Sequence, residues 1–269
     1  SNAACALSII GPAAKDAVTP LIRQLKDRDW LVRQCAAEAL GSIRSEPQQA
    51  IPALMGSLKD KYFNVRRTAA SALGAIRPTT PAAVDALARA LHDKEGNVQH
   101  EAAEALAKLG AAADRAVPTL AERLQNRAMY VYGHPGVCRP VAGTVARALG
   151  ALGPSAKSAM PALLDLLRDT QGTFDRYGPD DRCDNYEARR AAAIAAARIA
   201  PQNDELLSVL GQSLQDDAWI RADVAVALAL IADKSAVGSL CTVDRPPSGS
   251  RRRVHGRLLA HGHRGKTGA

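Results

Sequence analysis

The chain has 269 residues and a formal net charge of +8, with 47% hydrophobic but only 3% aromatic side chains. So few aromatics disfavour a β-sandwich or barrel, and an apolar content made mostly of Ala, Leu, Val and Ile suits close-packed helices. No apolar run reaches the roughly 18 residues of a membrane span. Arg245, Arg251, Arg252, Arg253, Arg257, Arg264 and Lys266 supply the excess charge, leaving 28 basic against 27 acidic groups in residues 1–244. That nearly neutral body is a poor partner for a phosphate backbone.

In chain order, Ser1, Asn2 and Ala3 read as an expression scar, so a removed signal peptide stays open. Ala4 to Ile10 then looks like a helix whose first turn is missing, as if cut from a longer protein. From there two helical patterns alternate. One reads QAIPALMGSL, AAVDALARAL, RAVPTLAERL and SAMPALLDLL, with apolar residues at i, i+3 and i+7, as in Ile51, Leu54 and Leu58. The other reads LVRQCAAEALGSI, NVRRTAASALGAI and NVQHEAAEALAKL, with a stripe such as Val65, Ala69, Ala72, Leu73 and Ile76. Both have the helical period of 3.6. Leu25, Leu58, Leu91 and Leu124 are spaced by 33, and so are Val32, Val65 and Val98.

Val32, Val65, Val98, Val141, Ala188 and Ile220 therefore mark the starts of six second helices, with spacings of 33, 33, 43, 47 and 32. Two insertions follow, placed at 125–140 and 168–186, each between a Leu-rich helix and a Val-started one. The repeat body is expected over residues 4–243. After Leu240 the pattern fails, Pro246 and Pro247 stop any helix, and residues 244–269 are expected to be a basic, disordered, non-native tail that adds nothing to folding.

A 33-residue period also fits ankyrin arrays, but Thr19, Pro20 and Leu21 are followed by Ile22 and Arg23 where that motif has His. The Trp, Gly and Tyr of tetratricopeptide repeats are absent. The L-x-D turn, V-R, A-A-x-A-L-G and I string instead resembles the short HEAT-like repeat of the phycobilisome-lyase type, from about residue 4 to 240. The resemblance implies an all-α, right-handed αα-superhelix of about six to seven helix pairs, with the Val-started helices lining the concave face. It also implies a ladder between repeats, in which Asp27, Asp60, Asp93, Asp169 and Asp216 meet Arg33, Arg66, Arg189 and Arg221 and cap the next helix. Asn126, Gln99 and Ala142 interrupt it near the first insertion.

Catalytic signals are sparse. His100 and Glu101 resemble the His-Glu motif of HEAT-type di-iron deoxyhypusine hydroxylases. The matching positions, Gln34 and Cys35, Arg67 and Thr68, Gly143 and Thr144, Arg190 and Ala191, Ala222 and Asp223, supply no second pair. His134, Cys138, Asp180, Asp181, Cys183 and Asp184 of the insertions could hold zinc or form a Cys138–Cys183 disulfide, but they lack a C-x-x-C pair. Gly265, Lys266 and Thr267 imitate the end of a P-loop without its first Gly. A HEAT-like DNA glycosylase conflicts with the neutral body. No catalytic residue, cofactor or metal is expected.

The aromatics do form a pattern. Trp30, Tyr62, Phe63, Tyr130, Tyr132, Phe174, Tyr177, Tyr186 and Trp219 all lie in or beside the turn before a Val-started helix. Equivalent turns of a solenoid align along one edge, so these residues predict an aromatic rim, a side-chain class enriched in interface hot spots. Packing within each turn is the competing explanation. Gln34, Glu38, Arg67, Ser71, His100, Glu104, Arg147 and Arg190 predict a polar concave floor. Together these features point to a monomeric, non-catalytic scaffold for a protein partner. The candidate contacts are Tyr130, Tyr132, His134, Phe174, Tyr177, Trp30, Tyr62, Trp219, Arg67, His100, Arg147 and Arg190. The alternative is a bilin-lyase-like enzyme or lyase subunit, which needs a deep, aromatic-lined pocket between the insertions.

Overall fold

The computed structural model describes residues 11–125, 130–132, 138–169, 186–215 and 218–231. Six helix pairs follow one another: α1 (Val18–Gln24) with α2 (Trp30–Ile43), α3 (Pro47–Ser57) with α4 (Phe63–Ile76), α5 (Pro81–Ala90) with α6 (Gly96–Leu109), α7 (Val117–Gln125) with α8 (Val141–Leu152), α9 (Met160–Arg168) with α10 (Tyr186–Ile199), and α11 (Asp204–Ser213) with α12 (Ala218–Ile231). Every predicted Val-started helix is present. Five of them begin two residues before the marker, and α8 begins on Val141 itself.

The stripes face inward as their period requires. Leu54, Leu87, Leu120, Leu163 and Leu210 of the Leu-rich helices are buried, and so are Leu40, Leu73, Leu106 and Leu149 of the Val-started ones. Val32 opens the first described Val-started helix and is only half-buried. These residues form one continuous core running the length of the array. Such a core is what stacking of two-helix units gives, since neither helix of a unit can cover both its stripes alone.

The A-A-x-A-L-G string has a steric reason. A Cβ on Gly41 would sit 2.8 Å from Ala72 Cα, one on Gly74 2.8 Å from Ala105 Cα, and one on Gly150 2.9 Å from Ala195 Cα. Successive Val-started helices thus touch backbone to backbone, and they pack on each other far more extensively than successive Leu-rich helices do. A layer drawn tight on one side and splayed on the other curves toward the tight side, which puts α2, α4, α6, α8 and α10 on the concave face.

Four of these helices end on a residue of positive φ. Arg44, Arg77, Gly110 and Gly153, equivalent positions in four repeats, all have positive φ, between 53° and 65°. Left-handed backbone stops the helix and turns the chain toward the next Leu-rich helix. Two repeats use glycine there and two tolerate arginine.

The first insertion adds what the helical pattern does not announce. Strands β1 (Tyr130–Tyr132) and β2 (Cys138–Pro140) pair antiparallel, with Tyr130 opposite Pro140 and Tyr132 opposite Cys138. Residues 170–185 of the second insertion and the tail 244–269 lie outside the described residues. No helix among the described residues is long and apolar enough to cross a membrane.

Candidate functional site

The turn before each concave helix is built by its aspartate. Asp60 Oδ1 accepts the Tyr62 N–H at 2.9 Å, Asp93 Oδ1 the Glu95 N–H at 3.0 Å, and Asp27 Oδ1 the Asp29 N–H at 2.8 Å. The same carboxylates are held from the preceding repeat. Arg33 Nε and Nη2 donate to Asp60 at 2.6 and 2.9 Å, and Arg66 repeats this fork on Asp93 at the same distances. The third guanidinium nitrogen closes the turn of its own repeat, Arg33 Nη1 donating to the Asp27 carbonyl and Arg66 Nη1 to the Asp60 carbonyl, each at 2.8 Å. The expected ladder is present at these two rungs, with one change: the turn aspartates bond the residue before the helix, and the capping side chain of α2 is Asp29, accepting from Leu31 N–H at 2.9 Å.

Burial alone would push the Asp60 carboxyl up, but the Arg33 hydrogen bonds, the Tyr62 N–H and the charges of Arg33 and Lys61 outweigh it and hold the group below its ordinary value. Hydrogen bonding to Asp60 likewise raises Arg33 against the opposing pull of burial.

At the third repeat Gln99 stands where the ladder needs arginine. Its Nε2 donates to the Asp93 carbonyl, and its Oε1 accepts from Arg123 Nη2 of α7 at 2.6 Å. Arg123 is only 6% exposed, and its Nε has no hydrogen-bond partner among the described residues. Burial lowers its pKa. This substitute rung escaped the sequence reading, although the gap at Gln99 was its signal. Farther on, Arg189 Nε donates to the Leu167 carbonyl at 2.9 Å.

Above the ladder, Trp30 and Tyr62 stack across neighbouring repeats with centroids 5.8 Å apart, and Lys61 Nζ lies 5.1 Å from the centre of the Tyr62 ring. Tyr62 is 42% exposed, Leu31 41% and Phe63 37%. The rim is therefore real over the first two turns, and Leu31 and Phe63 belong to it. Tyr130 and Tyr132 lie on β1. Trp219 is on α12, Tyr186 starts α10, and His134, Phe174 and Tyr177 are outside the described residues.

The concave floor divides into two parts. Toward the N-terminus, Gln34, Glu38, Ser42, Arg44, Arg67, Thr68, Ser71 and Glu101 line an open cavity of about 390 Å³ across α2, α4 and α6. None of its lining residues is aromatic. Toward the C-terminus the groups satisfy one another. His100 Nδ1 is 2.8 Å from Thr144 Oγ1, and Arg147 reaches Thr144 at 3.0 Å, Glu104 at 3.1 Å and Glu187 at 3.2 Å. His100 is half-buried, because α8 brings Thr144 against it. Arg190 is exposed on α10.

Among the described residues no cluster of three His, Cys, Asp or Glu is placed to hold a metal ion. Of the residues proposed for zinc or a disulfide, only Cys138 is described, in β2.

HEAT repeats match residues 2–74 and 52–131, a stretch that ends inside the first insertion, where the 33-residue spacing breaks. No curated protein sequence matches. Among solved structures, the complex of CpcE and CpcF of phycocyanin lyase from Nostoc sp. matches at 25% identity. That match covers 84% of this chain and 80% of the other, with a TM-score of 0.54. An engineered protein matches at 27% identity over 83% of this chain and 60% of its own, with a TM-score of 0.51. Yeast importin-beta, at 18% identity, shares the fold over 84% of this chain and 31% of its own length, with a TM-score of 0.63. Residues 2–131 thus carry HEAT repeats, and the described residues fold as the curved stack of helix pairs of a HEAT-like helical solenoid.

Proposed function

We propose that the protein is a non-catalytic scaffold that holds a protein partner along its concave face and the aromatic edge of its turns. The observation that carries this reading is the N-terminal cavity. Gln34, Arg67, Ser71 and Glu101 are half-buried there and Glu38 is exposed, yet none makes a side-chain hydrogen bond or ion pair among the described residues. Part-buried polar groups ordinarily find partners within the fold. A rigid concave row that leaves them unpaired offers them to a ligand from outside, and extended concave surfaces are how repeat arrays bind.

A photo-crosslinking residue placed at Ser71 tests this, with Gln48 of α3, exposed on a Leu-rich helix, as the control position. The expected outcome is a defined protein adduct from position 71 and none from position 48. Equal adducts from both positions, or none from position 71, would contradict it.

The likeness to the phycocyanin lyase complex favours one second reading, a bilin-lyase-like subunit. A pigment site wants an enclosed aromatic pocket, and the cavity described above is open and has no aromatic lining. Adding an open-chain tetrapyrrole and following its visible absorbance separates the two: a shifted, intensified band supports the lyase reading and an unchanged spectrum the scaffold.

A further inference from the structure

The ladder fixes more than the stacking of repeats. Each turn reads basic, Asp, basic: Lys26 and Arg28 flank Asp27, Lys59 and Lys61 flank Asp60, and His92 and Lys94 flank Asp93. The central carboxylates of the second and third turns point inward to Arg33 and Arg66 and are half-buried, while all six flanking residues are exposed. Pinning Asp60 and Asp93 inward drives their neighbours outward, so a double column of basic side chains, five of them Lys or Arg and the sixth His92, runs along the edge at the repeat spacing. Trp30, Leu31, Tyr62 and Phe63 lie within the same edge, next to the first two turns.

We infer that this edge docks an extended, acidic protein segment whose carboxylates recur at every third residue with apolar side chains between them. The inference rests on the scaffold reading and names the chemistry of the partner at one of its two surfaces. Stacked helices lie about 8–10 Å apart, and a chain in the polyproline II conformation advances about 3.1 Å per residue with three residues per turn, so every third side chain faces the same way. Three residues of peptide therefore span one repeat, and each carboxylate meets the next pair of cations. The intervening apolar groups fall on the Trp30–Tyr62 stack and on Leu31 and Phe63. Nucleic acid fits less well, because its continuous backbone charge would meet Asp27, Asp29 and Glu95 between the cations, whereas a segment with one carboxylate per repeat sets its uncharged residues against them.

The test uses the full chain and a fluorescein-labelled synthetic peptide of four Glu-Leu-Ser units, read by fluorescence anisotropy. A peptide of the same composition with its glutamates clustered and a single-stranded oligonucleotide of equal charge serve as comparisons. The periodic peptide is expected to bind at least tenfold more tightly than either. Lys59→Glu with Lys61→Glu should weaken it at least tenfold, with unchanged thermal unfolding because both side chains are exposed, and Tyr62→Ala should weaken it several-fold. Gln48→Glu, exposed on the Leu-rich helix α3, should leave peptide affinity unchanged. No binding, equal binding of the clustered peptide, tighter binding of the oligonucleotide, or insensitivity to the edge substitutions would each overturn the inference. The scaffold reading would survive any of these if crosslinking from Ser71 still gave its adduct, so the two failures are separable.

Discussion

At the scale of single residues, the Arg33–Asp60 and Arg66–Asp93 pairs are the most informative contacts. Each is a two-pronged, part-buried bond between repeats. Asp60→Ala leaves Arg33 buried without its carboxylate and is expected to cost about 3–5 kcal/mol, measured by denaturant unfolding. The pair also sets a pH dependence. Because the folded-state pKa of Asp60 is lowered, its contribution is fully present above its unfolded value near pH 4 and is lost as pH falls through the folded value. Asp60→Asn should therefore flatten the acid limb of the stability curve relative to the native chain. Leu91→Ala should cost about 2–5 kcal/mol through lost burial and a cavity, since Leu91 is fully buried. His100→Ala, which removes the Thr144 contact, should cost about 1 kcal/mol. The pattern of Asp and Arg was legible because it repeats at a fixed spacing. The bonds of His100 and Arg123 were not, because Gln99 and Thr144 stand at repeat positions where the residue type changes, so the period marks the place but not the partner.

At the scale of the helix, the glycines explain why the motif reads as it does. Gly74→Ala would set a methyl group 2.8 Å from the Ala105 backbone, so the concave helices must part. A loss of about 1–3 kcal/mol is expected. Arg77 is the opposite case. Its φ of 57° costs an L-residue strain that glycine avoids, so Arg77→Gly should raise stability by about 1 kcal/mol in thermal or denaturant melts. A fall would show that the arginine side chain makes up for its backbone. The helices themselves were foreseen to within two residues of their starts, since an apolar stripe of period 3.6 leaves little choice. The β1–β2 ribbon was not. Three-residue strands inside an insertion carry too short an alternation to stand out from a loop.

At the scale of the molecule, the fold was legible because every repeat states it again; the concave orientation was implied by the family resemblance, and the close Gly–Ala contacts of one helix class supply its physical reason. The site was only partly legible. Residue type singled out Arg67, Trp30 and Tyr62, but which polar groups remain unpaired depends on tertiary neighbours. Arg147 looked equivalent to Arg67 in the sequence, yet it bonds to Glu104 and Glu187, while Arg67 faces an open cavity. The proposed binding surface rests on that contrast. The most direct test compares proteins retained quantitatively by the native chain and by a Glu38→Lys, Arg67→Glu variant, which exchanges two of the cavity's charges and keeps the net charge. With equal melting temperatures for both, a partner held by the native chain should drop at least tenfold with the variant. An unchanged retention profile would contradict the assignment of the concave face.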